Sequence, residues 1–110
     1  ELKKNKCSFD ILRVNGSLEI PTMIAIKLKK NKYDGAIALG CIIKGQTNHN
    51  EVIANTIATS LVNISVENLK PVGNAVLSCN NLTQALARTK GWKNRPAEAV
   101  KAIISVLDNI

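Results

Sequence analysis

The chain carries few aromatic residues: Phe9, Tyr33 and Trp92 are its only rings, 3% of 110 residues. A core must therefore be built from Ile, Val, Leu and Ala. A surface that stacks bases is argued against, because a single ring, Trp92, falls within any cationic group. Cysteine is also scarce. Cys7, Cys41 and Cys79 are odd in number, far apart and without Cys-x-x-Cys spacing, so neither a disulfide framework nor a zinc site is indicated, and a reducing compartment fits best. No apolar run is long enough to span a bilayer, and the opening Glu-Leu-Lys-Lys-Asn-Lys lacks the apolar stretch of a signal peptide. The expectation is a cytoplasmic protein with no membrane partner.

What is present is 45% hydrophobic residues, enough apolar material for one modest core and so for a single domain over residues 1–110. The formal net charge of +7 raises a polyanion partner. The cations fall in three small groups: Lys3, Lys4 and Lys6; Lys27, Lys29, Lys30 and Lys32; Arg88, Lys90, Lys93 and Arg95. For the first two, solvated helix ends that complement the negative pole of the dipole are the better reading. A nucleic-acid partner is not expected.

Along the chain, Glu1 to Lys6 reads as the tail of a helix, with Asn5 suited to the left-handed residue that closes one. Phe9 to Val14 alternates apolar and polar residues, which predicts a strand. Pro21 opens a helix to about Lys30. Ala36 to Ile43 is apolar on both parities, as in a strand buried on both faces at the centre of a parallel sheet. From Asn50, residues Val52, Ile53, Ile57, Leu61 and Ile64 recur at helical spacing to about Asn68. Pro71 to Ser78 reads as a second buried strand, Asn80-Asn81 as a cap for a helix over Leu82 to Thr89, and Pro96 as the opening of a last helix with Val100, Ile103, Ile104 and Leu107 on its buried stripe. Alternating strands and helices imply βαβ units in a layered α/β domain.

Ligands in such sheets bind beyond the carboxyl ends of the strands, which singles out the loops Asn15 to Pro21, Lys44 to Asn50 and Asn74 to Asn81. Gly45-Gln46-Thr47 precedes a helix, so main-chain N–H groups and the Thr47 hydroxyl can cradle a phosphate. His49, the only histidine, stands at the same entrance and can move protons near neutral pH. On pattern alone, a Gly, a Thr and a His before a helix are more often a turn and a cap.

The ordered motifs add a resemblance. Gly16-Ser17-Leu18-Glu19-Ile20-Pro21, Tyr33-Asp34, Ala38-Leu39-Gly40-Cys41-Ile42-Ile43-Lys44-Gly45-Gln46-Thr47-Asn48-His49, Pro71-Val72 and Asn81-Leu82-Thr83-Gln84-Ala85-Leu86-Ala87-Arg88 resemble the lumazine synthase family, in order and through Ala97-Glu98-Ala99. The resemblance implies a three-layer α/β/α fold of flavodoxin-like topology with a parallel sheet. It also implies a transferase that needs no metal or cofactor and condenses a ribitylamino-pyrimidine with a four-carbon sugar phosphate in riboflavin biosynthesis. It places Ser17 and Glu19 on the ribityl chain, with Leu18 between them. Cys41, Ile42 and Ile43 fall at the pyrimidine, Gly45, Gln46 and Thr47 at the phosphate, and His49 is the proton-transfer residue. Asn74, Arg88 and Arg95 would reach the site from an adjacent subunit of a homo-oligomer, a pentamer or an assembly of pentamers. Leu18 stands where the family commonly has Phe, and Asn74 where a ring often stacks.

A shell protein that kept this fold and lost the chemistry is the alternative, and retention of His49, Glu19 and Arg88 together speaks against it. The resemblance further implies a strand and a helix ahead of Glu1, roughly 35 to 45 residues, with the strand lying between those around Ile11 and Leu39.

Overall fold

A computed structural model describes residues 1–45, 49–91 and 94–110. A 3₁₀ turn (Ser17–Glu19) leads into α1 (Ile20–Leu28), followed by β1 (Ala36–Ile43), α2 (His49–Asn68), β2 (Val72–Cys79), α3 (Leu82–Ala87) and α4 (Arg95–Leu107). Local chemistry accounts for the boundaries. Pro21 sits in the first turn of α1, where its missing N–H costs nothing. The Asn81 side chain accepts from Gln84 N at 2.9 Å while Gln84 Oε1 accepts from Asn80 N at 2.9 Å, a reciprocal cap for α3. Asn94 caps α4 by accepting from Ala97 N at 3.0 Å. The C-terminal carbonyls of α1 are met from far along the chain: Lys70 Nζ donates to Leu28 O (3.0 Å) and Lys30 O (3.3 Å).

β1 and β2 pair in parallel from Ala36 opposite Val72 to Ile43 opposite Cys79, and Lys44 N extends the ladder by donating to Cys79 O at 2.8 Å. Side chains alternate across the sheet. Ala38 lies in the main core with Ile24 and Leu28 of α1 and Ile57 and Leu61 of α2, and Ala36, Ile42, Val72 and Val76 pack against it. On the opposite face Leu77 and Cys79 cluster with Ala85 of α3, and Gly73 meets α4, where an added Cβ would lie 2.9 Å from Ala99 O and 3.1 Å from its Cβ. Helices thus cover both faces, giving the expected three-layer α/β/α arrangement. No helix among the described residues is long and apolar enough to cross a membrane.

Four expectations are corrected. Phe9–Val14 forms no strand; it is an extended segment with Phe9, Ile11 and Leu12 exposed, because alternation creates a strand only where a neighbouring backbone accepts its hydrogen bonds. β1 is neither central nor buried on both faces: among the described residues the sheet has two strands, and Leu39, Cys41 and Ile43 are exposed because α3 and α4 pack mainly on β2. Val52 lies off the buried stripe of α2 and is exposed. The first residues do form a closing helical turn, with Cys7 N donating to Leu2 O (3.0 Å) and Lys6 N to Lys3 O (3.0 Å), but the left-handed residue is Lys6 (φ 58°) rather than Asn5.

Candidate active site at the carboxyl ends of the strands

Both strands end on the same side of the sheet because they run parallel. The loops leaving them, together with the 3₁₀ turn, gather most of the sequence-derived residues there. The turn lies close over the carboxyl half of β1, where a Cβ on Gly40 would fall 3.2 Å from Ser17 Oγ and 3.4 Å from Ile20 Cδ1. Ser17 is therefore seated on the strand, whereas Leu18 and Glu19 are exposed and line an open groove with Val14, Asn15, Thr22 and Met23.

Cys41, Ile42 and Ile43 form the last residues of β1. Desolvation pushes the Cys41 thiol upward, with Cys79 adding to the effect, so it is not poised as a thiolate nucleophile. Gly45 follows the strand, and a Cβ there would meet no heavy atom within 4 Å among the described residues. Gln46 and Thr47 lie outside the described residues, as does Lys93 of the third cationic group. His49 is exposed at the first position of α2.

Arg88 stands at the carboxyl end of α3. Its Nη1 donates to Ser78 O at 3.1 Å and approaches Cys79 Sγ at 3.4 Å, so one corner of the guanidinium is pinned to the end of β2. Asn74 and Arg95 are engaged elsewhere in this chain. Asn74 Oδ1 accepts from Val76 N at 3.0 Å, and Asn74 is four residues from Ser78 along β2, roughly 13 Å at strand rise. Arg95 Nε pairs with Glu98 Oε2 at 3.3 Å, in the open. Arg95 N also donates to Arg88 O at 2.8 Å, which ties the start of α4 to the end of α3.

Sequence reasoning missed two features. Asn50 is 6% exposed and donates through Nδ2 to Ser78 Oγ at 2.9 Å, while its Oδ1 is buried and has no hydrogen-bond partner among the described residues. The available signal was a polar residue in phase with the apolar stripe Ile53, Ile57, Leu61 and Ile64. The second is a clasp on the extended segment. Tyr33 donates its hydroxyl to Asp10 Oδ2 at 2.6 Å, and Lys32 Nζ lies 3.3 Å from the same oxygen and 5.4 Å from the Tyr33 ring centroid. The Tyr33 hydrogen bond, then the Lys32 ammonium, hold the Asp10 carboxyl below its ordinary value, and the bond to Asp10 raises Tyr33.

Comparison with known proteins identifies the site's family. A family model described as 6,7-dimethyl-8-ribityllumazine synthase matches residues 1–110. A protein of that name from Bartonella bacilliformis is 39% identical over 109 residues, covering 96% of this chain and 72% of the relative. The Bartonella henselae protein is 38% identical, covering 96% and 70%. One from Rhodopseudomonas palustris, named 6,7-dimethyl-8-ribityllumazine synthase 1, is 38% identical over 113 residues, covering 97% and 69%. With a match that spans every residue and a three-layer fold that presents the motif-bearing loops at one end of a parallel sheet, the chain belongs to the 6,7-dimethyl-8-ribityllumazine synthase family.

Proposed function

We propose that this chain condenses 5-amino-6-(D-ribitylamino)uracil with 3,4-dihydroxy-2-butanone 4-phosphate to 6,7-dimethyl-8-ribityllumazine, releasing phosphate, as a transferase of riboflavin biosynthesis. The observation that carries the reading is the family match over all 110 residues. In the reaction the pyrimidine's 5-amino group attacks the ketone and loses water to give an imine. Phosphate then leaves by elimination, and the ribityl-bearing nitrogen closes the ring on the carbonyl so formed, with loss of a second water.

Each side chain takes a role that its chemistry and position suit. His49, exposed at the mouth of α2, relays protons through these steps. Arg88 presents the unpinned part of its guanidinium to the departing phosphate, and Gly45, Gln46 and Thr47 contribute donors to the same anion. Ser17 and Glu19 hold the ribityl hydroxyls beside Leu18, and the end of β1 from Cys41 to Ile43 supports the pyrimidine. Holding two substrates together supplies much of the acceleration. Asn74, Arg88 and Arg95 serve a neighbouring protomer's site, so the working form is a homo-oligomer built from pentamers. Mixing both substrates with the protein and following lumazine formation tests the assignment; absence of product at saturating substrates would overturn it in favour of a shell protein without chemistry.

A further inference from the structure

Among the described residues, Asn50 is the one buried polar side chain, and it faces the carboxyl end of β2. A buried amide normally has its polar atoms paired, since an unmade bond costs free energy that an apolar residue would not incur. Asn50 pairs one of them with Ser78 Oγ and leaves the other without a partner among the described residues. Ser78 is in turn the residue whose main-chain carbonyl accepts from Arg88 Nη1 at 3.1 Å. A continuous chain of contacts therefore runs from the first turn of α2, immediately beside His49, through the end of β2 to the guanidinium.

We propose that Asn50 and Ser78 are positioning residues for the phosphate-bearing substrate: their hydrogen bond fixes the end of β2, and with it Arg88, against the first turn of α2. Two features support this over a packing role. Leucine in the same phase of the stripe would fill the space without an orphaned polar atom, so the amide is retained at a cost in stability. The pinned Nη1 also removes rotamer freedom from Arg88 in advance, leaving its other N–H donors for a phosphate oxygen pair and lowering the entropy lost on binding.

The inference rests on the proposed reaction, and the test separates the two. Wild-type turnover is measured first with the full chain in its assembled form. Given turnover, Ser78→Ala is expected to raise KM for the sugar phosphate about tenfold, the scale of one buried partner lost, with KM for the pyrimidine changed less than twofold. Ser78→Thr, which keeps the hydroxyl, is expected to restore it. Ser78→Ala should also lower Tm, because Asn50 then has no partner at all. Combining it with Asn50→Leu removes both polar groups, which is near neutral for stability, so Tm should recover while KM stays high. If KM recovers together with Tm, or never rises in Ser78→Ala, the positioning role is overturned. Should the wild type show no turnover, the proposed reaction fails on its own. The same variants are then titrated with inorganic phosphate by calorimetry: weaker binding in Ser78→Ala supports the network, and unchanged binding overturns it.

Discussion

At the scale of single residues, His49 stands exposed at the first position of α2. His49→Ala is expected to slow turnover by ~10² to 10⁴ while the circular dichroism spectrum keeps the shape of the folded chain; unaltered turnover would remove His49 from the mechanism. Arg88 differs, because one of its donors is already committed to Ser78 O. Arg88→Ala should raise KM for the sugar phosphate far more than KM for the pyrimidine. Arg88→Lys should not rescue it, since a point charge cannot hold the strand end and a phosphate together. A change confined to the pyrimidine would place Arg88 on the other substrate. The Asp10 clasp gives a pH dependence whose sign follows from the shifts. Asp10 lies below its ordinary value in the folded chain, so its contribution is present above that value and fades as the pH drops below about 4 and through the depressed one. Tyr33 is raised, so its contribution holds below its ordinary value and fades as the pH climbs through the raised one. Tyr33→Phe removes the largest cause, and the Asp10 carboxyl carbon should titrate at higher pH by NMR; an unmoved titration would show that Lys32 alone sets it.

At the scale of elements, α4 approaches β2 closely at Gly73. A Cβ on Gly73 would stand 2.9 Å from Ala99 O, a backbone atom that cannot swing aside. Gly73→Ala is therefore expected to push α4 outward and cost about 1 to 3 kcal/mol, read as a lowered denaturation midpoint with an unchanged slope; an unaltered midpoint would mean that α4 adjusts freely. The elements were legible in the sequence where composition and local chemistry agree. Ala36–Ile43 is an unbroken apolar run, and α3 and α4 announce themselves through Asn81 and Pro96. Phe9–Val14 was misread because alternation reports only a readiness to pair. The rule of strand ends singled out the third loop, but the hydrogen bonds that converge on Ser78 were not legible, because they involve a main-chain carbonyl and a side chain from α2 that lies 28 residues earlier. Asn50 itself was hidden by an assumption that the residues of a buried stripe are apolar.

At the scale of the whole molecule, the decisive feature is β1. It pairs with β2 on one side, and its other edge has no strand partner among the described residues. Leu39 at 61% and Ile43 at 43% exposure lie on the face that α3 and α4 leave uncovered, and Ile11 and Leu12 are exposed as well. Unpaired strand edges flanked by apolar side chains recruit further backbone, and apolar surface of this kind marks an interaction site or an aggregation hazard. A polypeptide of these 110 residues alone is accordingly expected to sediment as a distribution of associated species at micromolar concentration. A β-strand supplied ahead of Glu1 that can pair with β1 should collapse the distribution into one assembly and protect the amides of β1 from hydrogen exchange. Leu39→Lys distinguishes edge pairing from nonspecific collapse: a charge on that face should disperse the aggregates of the 110-residue polypeptide and impair docking of the added strand. A stable monomer of the 110 residues, with slow exchange along β1, would show that this edge needs no cover.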